Sequence, residues 1–221
     1  MDLADVEFIA YTSALAERLG RNPALLVELL GTAQGYFREL GCEPVVRPAG
    51  LVYEFYVKMW GGKELPLALA PSGVRETLVA ALALLAPQYP RLLFIEEPEA
   101  HLRPSAVLEY AKLVARAVNS GKYVVVSTHS DHLIVVPNNM IALWSIRDRA
   151  RELGFNKAHA IDPENIAAYL IRAEGREAVV ESLKIDETGI PGSAFAEIVD
   201  RLAEARARIY DAIQRVRGSL P

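Results

Sequence analysis

A single cysteine, Cys42, stands among 221 residues. It excludes an intramolecular disulfide and fits a reducing compartment, where a lone cysteine is most simply a small, partly buried residue after a helix. No apolar run reaches the ~20 residues that span a bilayer, and residues 1–20 mix acids with apolar side chains, unlike a signal peptide. The expectation is a cytoplasmic protein without membrane attachment. An excess of basic charge is also lacking. The net charge of −4 and pI near 5.7 give no global attraction to nucleic acid. Only four histidines occur, too few to furnish a dinuclear zinc site comfortably. Internal repeats and low-complexity linkers are absent. What is present, 52% hydrophobic and 24% charged residues, suffices for one globular domain with an appendage.

Periodicity sketches the elements. Phe8, Tyr11, Leu15 and Leu19 form one apolar stripe, which Gly20 can end. Asn22-Pro23 reads as an N-cap with proline at the first helical position, opening a second helix through Leu25, Leu29 and Phe37 to Gly41. Residues 3–40 are thus expected to form a helical hairpin. Alternation from Val52 to Lys58 predicts a strand pairing with Glu64–Ala70 across Trp60-Gly61-Gly62. Ser72 is a good N-cap for a helix from Gly73 to Ala86. Strand, helix and strand over Leu92–Ile95, Pro104–Val118 and Tyr123–Ser127 make a βαβ unit, so the sheet should be parallel there. A third short strand is expected at Met140–Ser145. Residues 166–172 and 178–184 read as a two-stranded ribbon turning at Glu174-Gly175, and Ser193–Val216 as one long amphipathic helix.

Chemistry concentrates in LLFIEEPEAHL, from Leu92 to Leu102. Four apolar residues read as a buried strand, Glu96 and Glu97 follow at its carboxyl end, and Pro98 stops it. Ligands bind at that end of open α/β sheets. Two carboxylates there can divide the work, one holding a metal-bound water and the other polarising an attacking water. The second strand ends in a polar tip bearing His129. Ser72 and Gly73 open a helix after LALAP. For the acids, a strand ending at the surface is the plainer alternative. For Ser72, it is a simple helix cap; for His129, an imidazole satisfied by nearby backbone.

These three segments, in this order, resemble the ABC-class ATPases, in particular the RecF/SMC-like and OLD-like group. The resemblance rests on the Ser72-Gly73 turn, the run Glu96-Glu97-Pro98-Glu99-Ala100-His101-Leu102, and Thr128-His129-Ser130. It covers roughly residues 51–146 and extends more weakly into LKIDETGIPGSAF. It implies an α/β fold, the parallel-sheet core of a P-loop NTPase in its C-terminal lobe, with flanking helices, a terminal ribbon and a long helix. It implies ATP and Mg²⁺ as ligands. Glu96 would hold the Mg²⁺ water, where most ABC proteins use Asp, Glu97 would be the catalytic base, and His129 would face the γ-phosphate. Ser72 and Gly73 would form a signature turn contacting ATP in trans, although Pro71 stands where the signature has a second serine. His101 and Arg103 fall in the D-loop equivalent, where a structural or interface role is expected.

The group's P-loop, G-x-x-x-x-G-K-[ST], occurs nowhere in the sequence; Gly62-Lys63 precedes Glu64, and Gly121-Lys122 precedes Tyr123. The chain therefore resembles a C-terminal part, with a helical insertion remnant at 1–41, an ATPase core at 42–160 and an appendage at 161–221. A homodimer, or a separate chain carrying the Walker A lobe, is the implied partner. Two further readings stand beside hydrolysis. One is a non-catalytic interaction module needing a P-loop-bearing partner. The other is a zinc-dependent hydrolase on His129, Asp131 and His132, which lacks the first histidine of the metallo-β-lactamase pattern. Glu174-Gly175 suits a hairpin turn better than a TOPRIM nuclease start, because no downstream Asp-x-Asp follows.

Overall fold

The computed structural model describes residues 3–87, 91–130, 132–192 and 203–210. Three helices open it: α1 (Leu3–Arg21), α2 (Pro23–Thr32) and α3 (Gln34–Leu40). The Asn22 side chain accepts from the Leu25 amide with Pro23 in the first turn, as the sequence predicts. The expected second helix is instead two, broken at Ala33, whose N–H bonds Leu29 while Gly41 closes α3 in the left-handed conformation. The pair is a three-helix entry, since the break re-aims Tyr36 and Phe37 into the core, both under 5% exposed.

An antiparallel sheet follows in the order β1 (Cys42–Ala49), β2 (Val52–Met59), β3 (Glu64–Pro66). The β2–β3 pairing is the expected one, although residues 67–69 form a 3₁₀ turn. Strand β1 escapes sequence reading because Pro44 and Pro48 lie within it. It is an edge strand, the place in a sheet where proline is tolerated. Cys42 begins it, wholly buried, and burial pushes the thiol up to about 11. Tyr53 lies so close over α1 that a Cβ at Gly20 would sit 2.1 Å from its ring.

Helix α4 (Ser72–Leu85) carries Val74, Leu78, Ala81 and Leu82 into the same core as Leu19, Leu29, Phe55 and Val57. Strand β4 (Leu92–Glu96), helix α5 (Pro104–Asn119) and strand β5 (Tyr123–Ser127) form the expected parallel βαβ unit. Tyr36 and Tyr110 sit with ring centroids 5.7 Å apart where α3 meets α5. Buried Lys122 donates to the Ala83 and Ala86 carbonyls, both at 2.6 Å, capping the end of α4.

The two parallel strands are not buried on both faces. Leu93 and Ile95 pack into the core, but Leu92 and Phe94 are 49% and 75% exposed, and their partners Tyr123 and Val125 are 73% and 48% exposed. The apolar run hid an alternation in burial that its composition could not reveal.

The strand expected at Met140–Ser145 is helical. Helix α6 (His132–Ala142) runs into a 3₁₀ segment, Leu143–Leu153. A short apolar run fits either period, and here Met140 is buried against Ala115 and Ile161 through a helical face. The ribbon β6 (Ala168–Glu174) and β7 (Glu177–Leu183) pairs antiparallel as expected, with Gly175 at φ 64°. Asn138 holds the following turn by accepting from Ile190 N–H at 2.7 Å and donating to its carbonyl at 2.9 Å. The expected terminal helix lies mostly outside the described residues; 203–210 are helical.

Candidate nucleotide site

The site is built at the carboxyl ends of β4 and β5. Parallel register sets Glu96 opposite Ser127, and the Glu97 N–H donates to the Ser127 carbonyl at 2.9 Å. The two strand tips are thereby aligned, and the residues that follow them meet. Glu97 Oε1 lies 3.1 Å from His129 Nε2. The contact is open to water, with the His129 side chain 88% exposed, so it adds little to stability. Its significance is positional. Glu97 also takes φ 40°, the one described non-glycine residue with positive φ. Such backbone is uncommon and costs of order 1–3 kcal/mol, and it clusters at functional sites.

Thr128 closes a tight turn around His129. Its Oγ1 accepts from the Ser130 N–H at 2.9 Å, and its hydroxyl donates to Glu99 Oε1. The other Glu99 oxygen is buried without a hydrogen-bond partner among the described residues. Neither residue's role was legible in the sequence; Glu99 follows the paired acids and Thr128 precedes His129, but their meeting depends on the parallel register of β4 and β5.

Below the acids is a cavity of about 330 Å³, lined by Glu76, Thr77, Glu96, Glu97, His101 and Tyr110 among others. Tyr110 is 1% exposed, and its hydroxyl has no hydrogen-bond partner among the described residues. Burial pushes its phenol well up. Thr77 shares its hydroxyl between the Gly73 carbonyl, at 2.5 Å, and the Tyr36 hydroxyl.

Ser72 is not the N-cap. Pro71 occupies that position and its carbonyl takes the Val74 and Arg75 N–H groups, both at 3.0 Å. Proline supplies the extended backbone of a cap, so Ser72 moves inside the helix and its side chain makes no capping bond. Gly73 packs on the chain just after the acids, where a Cβ would stand 2.5 Å from the His101 carbonyl oxygen. Among the described residues no hydrogen bond or ion pair joins Ser72 to Glu96, Glu97 or His129. Arg103 pairs with Glu39 at 3.0 Å and also donates to its carbonyl, tying the start of α5 to α3. For the zinc reading, Asp131 and the His132 side chain lie outside the described residues.

Residues 18–135 match the family described as "AAA domain, putative AbiEii toxin, Type IV TA system". That span is over half of the chain and holds every candidate residue above. The chain belongs to this family. No curated protein matches it. Among solved structures, the Smc head domain of Pyrococcus furiosus, with an extended coiled coil and bound to the C-terminal domain of ScpA, is similar over 91% of the chain. The identity is 13% and the TM-score 0.50. The chain spans 43% of that protein's length. A structure described by ATP-driven dimerization and DNA-stimulated activation of SMC ATPases matches over 82% of this chain and 97% of its own, at 14% identity and TM-score 0.44. The likeness to the Pyrococcus furiosus head shows the fold: an α/β unit of the P-loop NTPase head type with flanking helices. The family match is thus to an AAA domain, and the fold is that of an SMC head.

Proposed function

We propose that this chain hydrolyses ATP as a subunit or fragment of an ABC/RecF-type ATPase. The observation that carries the reading is the 3.1 Å approach of Glu97 and His129 from the tips of two adjacent parallel strands. Glu97 accepts a proton from the attacking water, and His129 donates toward the γ-phosphate. Glu96, exposed at the end of β4, is an oxygen donor of the kind Mg²⁺ takes. That ion commonly keeps several waters and needs only one or two carboxylates beside the phosphates. Bound there, it supplies charge neutralisation to the triphosphate. Ser72 and Gly73, at the start of a fourteen-residue helix, offer N-terminal amides to a nucleotide held mainly by another head domain.

Because no P-loop string occurs in the sequence, the main phosphate cradle comes from another lobe or chain; a homodimer, the other arrangement expected, would still need that lobe. The expected result is weak or no ATP turnover by this chain alone and restored turnover when a P-loop-bearing partner is added. Glu97→Gln should lower turnover about 100-fold or more while nucleotide binding persists. Strong turnover by the chain alone would contradict the need for a second lobe.

A second reading, a non-catalytic interaction module, is favoured by the bare β4–β5 face. Parallel sheets are ordinarily covered on both faces. Leu92, Phe94, Tyr123 and Val125 therefore suit a covering layer, and a P-loop-bearing lobe is the occupant that reconciles both readings. The division into 1–41, 42–160 and 161–221 belongs to the same proposal, with the middle unit carrying the site.

A further inference from the structure

We propose that Glu99 and Thr128 are positioning residues, a carboxylate–hydroxyl clasp that holds residues 128–130 so that His129 faces Glu97. The inference rests on the hydrolysis reading of Glu97 and His129 above. The His129 side chain is 88% exposed and meets Glu97 at 3.1 Å, so the backbone that carries it decides whether the ring can reach that contact. That backbone is fixed at two points. The Glu97 N–H reaches the Ser127 carbonyl on one side of Thr128, and the Ser130 N–H reaches Thr128 Oγ1 on the other. The second point needs Thr128 in one rotamer. Glu99 selects that rotamer by accepting the hydroxyl proton in preference to the Ser130 carbonyl, which lies 3.5 Å away, and this leaves the hydroxyl lone pairs for the Ser130 N–H. A hydrogen bond to a carboxylate is roughly twice as strong as a neutral one. No other described donor competes for Glu99, since its second oxygen is buried and unpartnered. The acids that follow β4 and the imidazole that follows β5 are thus coupled twice, once directly and once through the loop.

The test is NMR of the full chain labelled in its histidines. In the wild type, Glu97→Gln should displace the His129 ring resonances, because the two groups touch. Thr128→Val and Glu99→Ala should each shrink that displacement about twofold or more, and the pair together should do little beyond either one. Thr128→Ser, which keeps the hydroxyl, should restore it. An undiminished displacement in Thr128→Val and Glu99→Ala overturns the clasp, as does its loss in a folded Thr128→Ser chain. If Thr128→Val does not fold, Glu99→Ala decides alone. In a preparation that turns over ATP, Thr128→Val should lower kcat about 10–100-fold with KM little changed; an unchanged kcat also overturns the clasp. Absence of ATP turnover in every preparation defeats the hydrolysis reading instead, while the resonance displacements still judge the clasp.

Discussion

Gly73 rests against the carbonyl of His101, with room for a hydrogen and none for a methyl group. This contact joins the first turn of α4 to the loop that follows the paired acids. Alanine in place of glycine normally favours a helix by about 1 kcal/mol. Here the 2.5 Å approach to a backbone oxygen outweighs that gain. Gly73→Ala should destabilise the chain by about 1–3 kcal/mol in urea unfolding, the range for overpacking. A stabilised variant would show that the contact yields easily.

Lys122 ends α4 from outside. Its ammonium is buried, donates to Ala83 and Ala86, and is lowered to about 8, chiefly by burial and secondarily by Arg18. Lys122→Met should cost about 1–3 kcal/mol by leaving two carbonyls without their donor. The pH dependence has a definite sign. Between pH 8 and the unfolded value of 10.5, the unfolded chain binds the extra proton, so this group's contribution to stability rises with pH there. Melting temperatures across that window should show a rise that Lys122→Met lacks.

His159 works at the acid end. It takes the Asn156 N–H on Nδ1 at 3.1 Å, and the Arg116 Nε approaches Nε2 at 3.3 Å. Burial first, then Arg116 and Lys112, lowers it to about 4 from 6.5. The unfolded chain therefore binds more protons between these values, and stability is lost as pH falls from 6.5 through 4. Partial solvent exposure limits the loss to about 1–2 kcal/mol. Urea midpoints at pH 7 and pH 4.5 should converge when His159→Gln is introduced.

The open face of β4 and β5 predicts self-association of the chain without a covering layer. Phe94→Thr with Val125→Thr should lower dye binding and light scattering while changing the melting temperature little, since Phe94 is mostly and Val125 about half exposed. A large loss of stability would place these residues in a buried contact.

The sequence revealed the parallel βαβ unit, the ribbon and the cap at Asn22, because each depends on local periodicity or turn chemistry. It misplaced Met140–Ser145, where an apolar run suits two periods and only packing against Ala115 and Ile161 chooses. It passed over β1, whose two prolines are tolerated at a sheet edge that sequence cannot locate. The acids and His129 were legible as separate motifs. Their approach, and the clasp through Glu99 and Thr128, arise from strand register across the βαβ crossover.

The left-handed turn at Glu97 has a further consequence for the adjacent acids. Glu96 leaves a regular extended strand, whereas Glu97 departs after the main chain has swung to φ 40°. The neighbours thus start from differently bent main chain despite identical chemistry, although both line one cavity. Shortening either to aspartate should therefore have unequal effects, and under the proposed hydrolytic roles a carboxylate kept at one position would not replace the one removed from the other.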